Sequence, residues 1–186
     1  MKLILGSKSP RRKELLSSIG FNFEIRTKET DESFPTSLNP SEVALYIANK
    51  KAQDLISDLK EDEVVLCADT VVIIDDTILG KPSNQNEASQ MLKLLSGRAH
   101  LVITGVVISS LEKNIQFQSS TIVSFLPLTI DEIQMYIEQY KPYDKAGSYG
   151  IQEWIGAAAI QKIEGSYNNV VGLPTHEVYQ ALKKFQ

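Results

Sequence analysis

The first residues suited to chemistry form a polar turn between a short apolar segment, residues 3–5, and a helix start. The turn and the helix start read Gly6-Ser7-Lys8-Ser9-Pro10-Arg11-Arg12. Ser9 suits the N-cap, and Pro10 suits the first helical position because its missing N–H is not needed there. A helix start offers unpaired N–H groups to anions, and guanidinium groups grip phosphate oxygens two at a time. The pattern therefore indicates a phosphate site; the alternative is a capped surface helix with solvated arginines.

A second candidate is a carboxylate inside an apolar segment. Residues 64–74 are rich in β-branched side chains and predict a strand buried on both faces, which Asp69 interrupts. A buried carboxylate without partners is strongly destabilising, so Asp69 is either paired structurally or used as a general base or metal ligand. Thr70 beside it has a commoner explanation, because threonine is favoured in strands.

Three charged residues give weaker signals. Lys81 lies in a Leu-Gly-Lys-Pro sequence just after the Asp-Asp turn at 75–76, so a second, shorter strand could bring it back towards the buried carboxylate. A cation there would neutralise phosphate, although most lysines in such turns are solvated. Lys51 and Glu32 are weaker candidates, since charged residues on helices and loops usually face water.

A loop with mixed chemistry lies near the C-terminal third of the chain. Residues 143–152 read Tyr-Asp-Lys-Ala-Gly-Ser-Tyr-Gly-Ile-Gln, which suits ligand recognition but also an ordinary ordered turn. The amide of Gln152 can donate and accept hydrogen bonds, which fits the O4/N3–H edge of uracil or thymine. His100 and His176 are far apart in sequence, and no zinc spacing or Ser-His-Asp pattern appears, so nucleophilic catalysis is unsupported.

Alternating helix and strand signals must position these residues, and they predict one α/β domain over residues 1–186. The predicted helices start at caps and cover 40–59, 85–95, 130–140 and a segment after Pro174, while 101–109 and 116–126 read as neighbouring strands.

Composition limits the class of protein. The chain has 186 residues, 42% of them hydrophobic, and a formal charge of −4, which argues against broad DNA binding. The single cysteine, Cys67, allows no internal disulfide and suits the cytoplasm. We expect no export signal, membrane insertion or nucleic-acid partner, because no apolar run is long enough and no basic face is indicated.

Five blocks taken together resemble the Maf family of nucleoside triphosphate pyrophosphatases. The blocks are Ser7-Lys8-Ser9-Pro10-Arg11-Arg12, Ala68-Asp69-Thr70-Val71-Val72, Leu79-Gly80-Lys81-Pro82, the 143–152 loop, and Asn169-Val170-Val171-Gly172-Leu173-Pro174. They occur in family order and span nearly the whole chain. The usual Gly-Leu-Pro-Leu is Gly-Leu-Pro-Thr at 172–175, and Lys8 stands where a small residue is common; both departures are peripheral.

The resemblance implies an α/β fold with an elongated mixed β-sheet, flanking helices and two lobes around a central cleft, shared with inosine triphosphate pyrophosphatases. It implies a cytoplasmic house-cleaning enzyme, linked to septum formation, that converts a nucleoside triphosphate to the monophosphate and pyrophosphate with Mg²⁺ or Mn²⁺. A homodimer is a further expectation from the family.

The resemblance also assigns roles by position. Asp69 is expected to accept the proton of the attacking water and to serve as a metal ligand. Glu32 is a candidate for holding metal or water. Ser7, Arg12, Lys51 and Lys81 are expected to bind phosphate. Arg11, Thr70 and Gln152 match the positions that separate a dTTP/UTP branch from a sister branch acting on 7-methyl-GTP.

A physical argument supports the pyrimidine branch. A 7-methylguanine base is cationic and would favour a carboxylate, whereas Gln152 is a neutral amide that fits a neutral pyrimidine. CTP and modified pyrimidine nucleotides stay open as substrates. The rival hypotheses are a non-catalytic, nucleotide-sensing regulator of cell division and a nucleic-acid-binding protein; the second predicts strongly salt-dependent DNA binding.

Overall fold

The sheet of this protein has seven strands, with helices flanking it, in a computed structural model that describes residues 1–185. The strands are β1 (Lys2–Leu5), β2 (Phe23–Ile25), β3 (Glu63–Ile74), β4 (Thr77–Leu79), β5 (Ala99–Ser109), β6 (Asn114–Phe125) and β7 (Ile160–Glu164). The helices are α1 (Pro10–Ser18), α2 (Pro40–Ile56), α3 (Gln85–Leu95), α4 (Ile130–Tyr140), α5 (Trp154–Ala158), α6 (Tyr167–Val171) and α7 (Thr175–Leu182). Single 3₁₀ turns occupy Ala146–Ser148 and Lys183–Phe185.

The strand order is β2-β1-β3-β5-β6-β7, with β4 paired to β3 at one side. β1 runs parallel to β2 and β3, because the helical connections α1 and α2 return the chain to the same end of the sheet. β4 runs antiparallel to β3 and β7 antiparallel to β6, so the α/β sheet is mixed.

The predicted hairpin after β3 is present. Ile74 pairs with Thr77 across a two-residue turn in which Asp75 and Asp76 both have positive φ, 47° and 59°. Two positive φ angles give the tight turn whose twist matches antiparallel strands, and aspartate tolerates that conformation better than most residues. The short second strand predicted before Lys81 is therefore confirmed as β4.

The chain divides into two compact units. The first comprises Met1–Thr70, Thr104–Ser119 and the residues from 172 onwards. Residues 63–70 of β3 belong to this unit, and the strand is buried on both faces there, as predicted: Val64 and Leu66 pack with α1 and α7, while Val65 and Cys67 pack with α2. Because successive strand residues point to opposite faces, an unbroken apolar run fills two cores at once.

The second unit comprises Val71–Ile103 and Ser120–Val171. Its core packs α3 and α4 against strand residues such as Val123, with Tyr136 fully buried. α4 starts at the predicted capping box, in which Thr129 and Glu132 each bond the other's backbone N–H. These caps fix where the helices begin.

Most predicted elements are confirmed with small shifts in their ends. α2 ends at Ile56, three residues before the predicted end. β2, β7, α5 and α6, each three to five residues long, were not predicted. In the described part of the chain, no helix has both the length and the apolar character needed to cross a bilayer.

Candidate functional site

The turn between β1 and α1 has the predicted strand-turn-helix layout. The backbone N–H of Arg12 donates to Oγ of the N-cap, Ser9, at 3.4 Å, and Pro10 is the first helical residue. Ser7 is buried, and its Oγ accepts the backbone N–H of Ser9 at 3.2 Å. Because this oxygen acts as acceptor, the Ser7 hydroxyl proton is the group suited to an incoming anion.

Arg12 is held in one orientation by side-chain and backbone acceptors. Its Nε donates to the carbonyl of Gly172 at 2.8 Å, Nη2 donates to Oγ1 of Thr70 at 3.0 Å, and Nη1 donates to Oγ of Ser7 at 3.5 Å. A guanidinium has five N–H donors, so these three bonds leave two for a ligand. Arg12 is therefore both a structural connection and a candidate phosphate ligand.

Burial lowers the pKa of Arg12 from its ordinary value of 12.5, while the charge of Asp69 raises it and that of Arg11 lowers it. Arg12 nevertheless stays cationic at neutral pH, since arginine is not deprotonated in proteins. Burial of the Arg12 charge is unfavourable, but three hydrogen bonds hold the guanidinium in place. A fixed cation of this kind is what a pre-organised anion site requires.

A buried hydroxyl supports Thr70 from the neighbouring strand. Oγ1 of Thr70 lies 2.9 Å from Oγ1 of Thr104 on β5, and Thr104 is completely buried. Either hydroxyl can be the donor in this contact, which links Thr70, the acceptor of an Arg12 N–H, to a buried group on β5. Sequence reasoning missed Thr104, although a polar residue in the apolar run 102–108 gives the same kind of signal that singled out Asp69.

Lys51 joins the two carboxylates that the sequence singled out. Its Nζ lies 2.7 Å from Oδ1 of Asp69 and 2.7 Å from Oε1 of Glu32. The side chains of Asp69 and Lys51 are 15% and 17% exposed, so this pair is largely shielded from water, while Glu32 is 48% exposed. Lys51, one of the weakest sequence signals, thus lies in direct contact with Asp69, the strongest, and also contacts Glu32.

Three elements present this cluster. β3 carries Asp69, α2 carries Lys51 near its C-terminal end, and the segment between β2 and α2 carries Glu32. That segment is tied to α2 by a hydrogen bond of 2.5 Å from Thr30 to Asp54 and by an ion pair of 3.1 Å between Lys50 and Asp31. Glu32 follows Asp31 directly, so these bonds place its backbone beside α2.

The predicted site residues of the first unit form a locally cationic group. Three cations, Arg11, Arg12 and Lys51, and two anions, Asp69 and Glu32, sum to +1, whereas the whole chain carries −4. The reversal of sign favours an anionic ligand at this group although the protein as a whole repels anions.

A metal ion would need ligands from outside the protein. Among residues 1–185, no group of three or more His, Cys, Asp or Glu side chains could hold an ion. Mg²⁺ is commonly bound by one or two carboxylates completed by substrate phosphates and water, however, and the Asp69–Glu32 pair fits that donor set.

Two predicted residues, Lys81 and Gln152, belong to the second unit. Lys81 is exposed and lies two residues after the end of β4. Gln152 is exposed, two residues before α5. The remaining predicted residues, Ser7, Arg11, Arg12, Glu32, Lys51, Asp69 and Thr70, all belong to the first unit.

Comparison with known proteins gives consistent results. A family model described as Maf-like protein matches residues 2–185. A dTTP/UTP pyrophosphatase of Porphyromonas gingivalis is 51% identical, covering 99% of this chain and 94% of that protein. A dTTP/UTP pyrophosphatase of Parabacteroides distasonis is 47% identical, covering 99% of this chain and 96% of that protein. The match to the solved structure of the Staphylococcus aureus Ham1 protein covers 99% of this chain and 98% of the Ham1 chain. The TM-score is 0.57 and the sequence identity is 11%, which indicates a shared fold.

Proposed function

This chain belongs to the Maf-like protein family, and we propose that it hydrolyses dTTP and UTP to the nucleoside monophosphate and pyrophosphate. CTP and modified pyrimidine nucleotides are further candidate substrates. The observation that carries the proposal is the Lys51 ammonium shared by Asp69 and Glu32, in a group of residues that also contains the fixed guanidinium of Arg12.

Phosphate binding falls to donors that the fold has already oriented. Four sets of donors are suited to triphosphate oxygens: the N–H groups at the start of α1, the Ser7 hydroxyl, the two remaining N–H groups of Arg12, and the Lys51 ammonium. Lys81, which the family resemblance also assigns to phosphate, stays a prediction. A triphosphate would also compete with Asp69 and Glu32 for Lys51, which would release the carboxylates for the reaction.

Asp69 is the residue that we assign as general base. Its Oδ1 accepts from Lys51, so Oδ2 is the oxygen suited to the proton of the attacking water. As that proton moves to Asp69, the water oxygen bonds to the α-phosphorus. The bond from the α-phosphorus to the bridging oxygen breaks, and the oxygen leaves with pyrophosphate.

Asp69 and Glu32 together would hold Mg²⁺ or Mn²⁺ with substrate phosphate oxygens, and such an ion supplies charge neutralisation. Among the residues assigned to substrate selection, Gln152 presents an amide to the base. Arg11 contributes charge beside Arg12, and Thr70 acts through the guanidinium to which it is bonded.

The test is Asp69→Asn, with Asp76→Asn as a matched control in the exposed β3–β4 turn. We expect Asp69→Asn to lower kcat for dTTP by about two orders of magnitude or more, because an amide cannot accept the proton at this step. Pyrophosphate release measures the rate, and thermal unfolding checks the fold. Wild-type turnover by a folded Asp69→Asn variant would exclude Asp69 as the base.

The non-catalytic regulator of cell division is distinguished by the same assay, since it predicts no pyrophosphate release from dTTP by the wild-type protein. A role in septum formation, a homodimer, a cytoplasmic location and a single domain over residues 1–186 stay predictions.

A further inference from the structure

Gln152 lies on a short loop that is bonded to buried groups on both sides. The N–H of Gly150 donates to the hydroxyl oxygen of Tyr136 at 2.9 Å, and that hydroxyl donates to Oε2 of Glu153. The second carboxylate oxygen, Oε1, pairs with Nζ of Lys145 at 3.1 Å. The Tyr136 phenol thus joins Gly150 to Glu153, the residues on either side of Ile151 and Gln152, and an ion pair joins Glu153 to Lys145.

We propose that Tyr136, Lys145 and Glu153, which we call the loop clamp, are positioning residues that set where the Gln152 amide meets the substrate base. This inference rests on the proposed function, because it names what orients the base-reading residue. None of the three residues was singled out by the sequence, apart from the place of Lys145 in the 143–152 loop.

The loop clamp is buried far more deeply than a surface turn requires. Tyr136 is fully buried, and the side chains of Lys145 and Glu153 are 10% and 17% exposed. Replacing an ion pair shielded to this degree by apolar packing is often neutral or stabilising, so stability alone does not account for this pair. Burial and the Glu153 charge raise the pKa of Tyr136, so its phenol stays protonated and remains a donor.

The packing around the loop clamp leaves little room for other arrangements. A Cβ at Gly150 would lie 2.9 Å from the carboxyl carbon of Glu153 and 3.0 Å from Cε of Lys145. A side chain at this position would displace the ends of the two paired side chains, and the N–H of Glu153 closes the turn on the carbonyl of Gly150 at 3.0 Å. Gln152 itself is exposed, so a rigid support carries a side chain that is accessible to ligand.

The decisive variant is Tyr136→Phe, which removes one hydroxyl and keeps the buried ring. Tyr140→Phe is the matched control, because Tyr140 lies one turn later on α4 and stacks on Tyr136 at 5.0 Å. The readouts are KM and kcat for dTTP and the inhibition constant of tripolyphosphate, which offers the phosphate chain without a base.

We expect Tyr136→Phe to raise KM for dTTP about tenfold, as expected for losing well-oriented hydrogen bonds to the base. The inhibition constant of tripolyphosphate should stay within about twofold, since phosphate binding does not depend on Gln152. Tyr140→Phe should change neither value. Glu153→Gln, which keeps an acceptor for the phenol, should raise KM less than Glu153→Ala.

Two results would overturn the loop clamp: an unchanged KM for dTTP in folded Tyr136→Phe, or a parallel rise in KM and in the tripolyphosphate constant. If Tyr136→Phe does not fold, the comparison of Glu153→Gln with Glu153→Ala decides by the same readouts. Absence of dTTP hydrolysis by the wild-type protein would instead refute the proposed function, so the two failures are distinguishable.

Discussion

Lowering the pH from 7 to 5 should destabilise this protein through one residue, His100. The ring is 4% exposed and packs edge-on against Phe125 and Tyr149, with centroid distances of 5.2 and 5.4 Å. Nε2 lies 2.7 Å from the Tyr149 hydroxyl, while Nδ1 has no hydrogen-bond partner within the described residues. A doubly protonated ring would carry an unpaired N–H and a buried charge, so burial lowers the pKa of His100 from 6.5 to about 4.

The sign and size of the effect follow from that shift. Below pH 6.5 His100 is protonated in the unfolded chain, whereas in the folded chain it stays neutral until the pH approaches 4. The stability present above pH 6.5 is therefore lost as the pH falls. Linkage gives a loss of about 2 kcal/mol between pH 7 and pH 5, and about 3 kcal/mol once both states are protonated.

Urea unfolding at pH 7 and pH 5 measures this loss. Two kcal/mol corresponds to a midpoint shift of about 1 M urea. His100→Phe keeps an aromatic ring but cannot titrate. The shift of its urea midpoint between pH 7 and pH 5 should therefore be smaller than that of the wild type by about 1 M. His176→Gln is the control, because His176 is exposed. An identical pH dependence in wild type and His100→Phe would refute the reasoning.

Two further predictions concern the site. Thr104→Val leaves the Thr70 hydroxyl without its buried hydrogen-bond partner. We therefore expect a loss of about 1–2 kcal/mol in unfolding free energy and a higher KM for dTTP, because Arg12 loses its support. Thermal unfolding and steady-state kinetics check both values. Thr121→Val on β6 is the control for loss of stability alone, because the buried Thr121 hydroxyl bonds Ser166 and Asn169. An unchanged KM in Thr104→Val would show that Arg12 does not depend on this chain of hydroxyls. Gln152→Glu should weaken the turnover of dTTP and UTP and improve the turnover of a nucleotide with a cationic base. Turnover of a panel of triphosphates with Mg²⁺ or Mn²⁺ measures this change. An unchanged substrate order would exclude Gln152 as the base-reading residue.

The longer elements could be predicted because their ends carry explicit chemistry. Ser9, Asn39, Asn84 and Thr129 each accept a backbone N–H of the helix that follows, as their sequence context predicts. The buried strand β3 could be predicted because an apolar run of this length leaves no solvent-facing positions. In each case, a local pattern determines the structure.

The missed elements depend on contacts that the local sequence does not contain. β2 is three residues long, and two of them are exposed, yet it forms because β1 offers a parallel edge with Leu3 opposite Phe23. β7 pairs with β6 from Ile122↔Glu164 to Phe125↔Ile160, through an irregularity in register after Ser124. Such strands are set by their partners, so no periodicity within them is long enough to be read.

The same distinction applies to the candidate site. Asp69 could be singled out because a carboxylate in an apolar strand conflicts with its surroundings. Lys51 gave only a weak signal of its own, because a lysine near the end of an amphipathic helix conflicts with nothing, and it entered the predicted site mainly through the family resemblance. Only the fold shows that its ammonium lies 2.7 Å from that carboxylate.

Arg12 and Lys51 would contribute to phosphate binding in different ways because the fold engages them differently. Arg12 is fixed by uncharged oxygens of Gly172, Thr70 and Ser7, so it keeps its full charge for a ligand and needs no reorganisation. Lys51 is neutralised by two carboxylates, so its charge becomes available to a triphosphate only as those contacts weaken. If the proposed function holds, initial phosphate binding should depend more on Arg12, whereas Lys51 should couple phosphate binding to the release of Asp69.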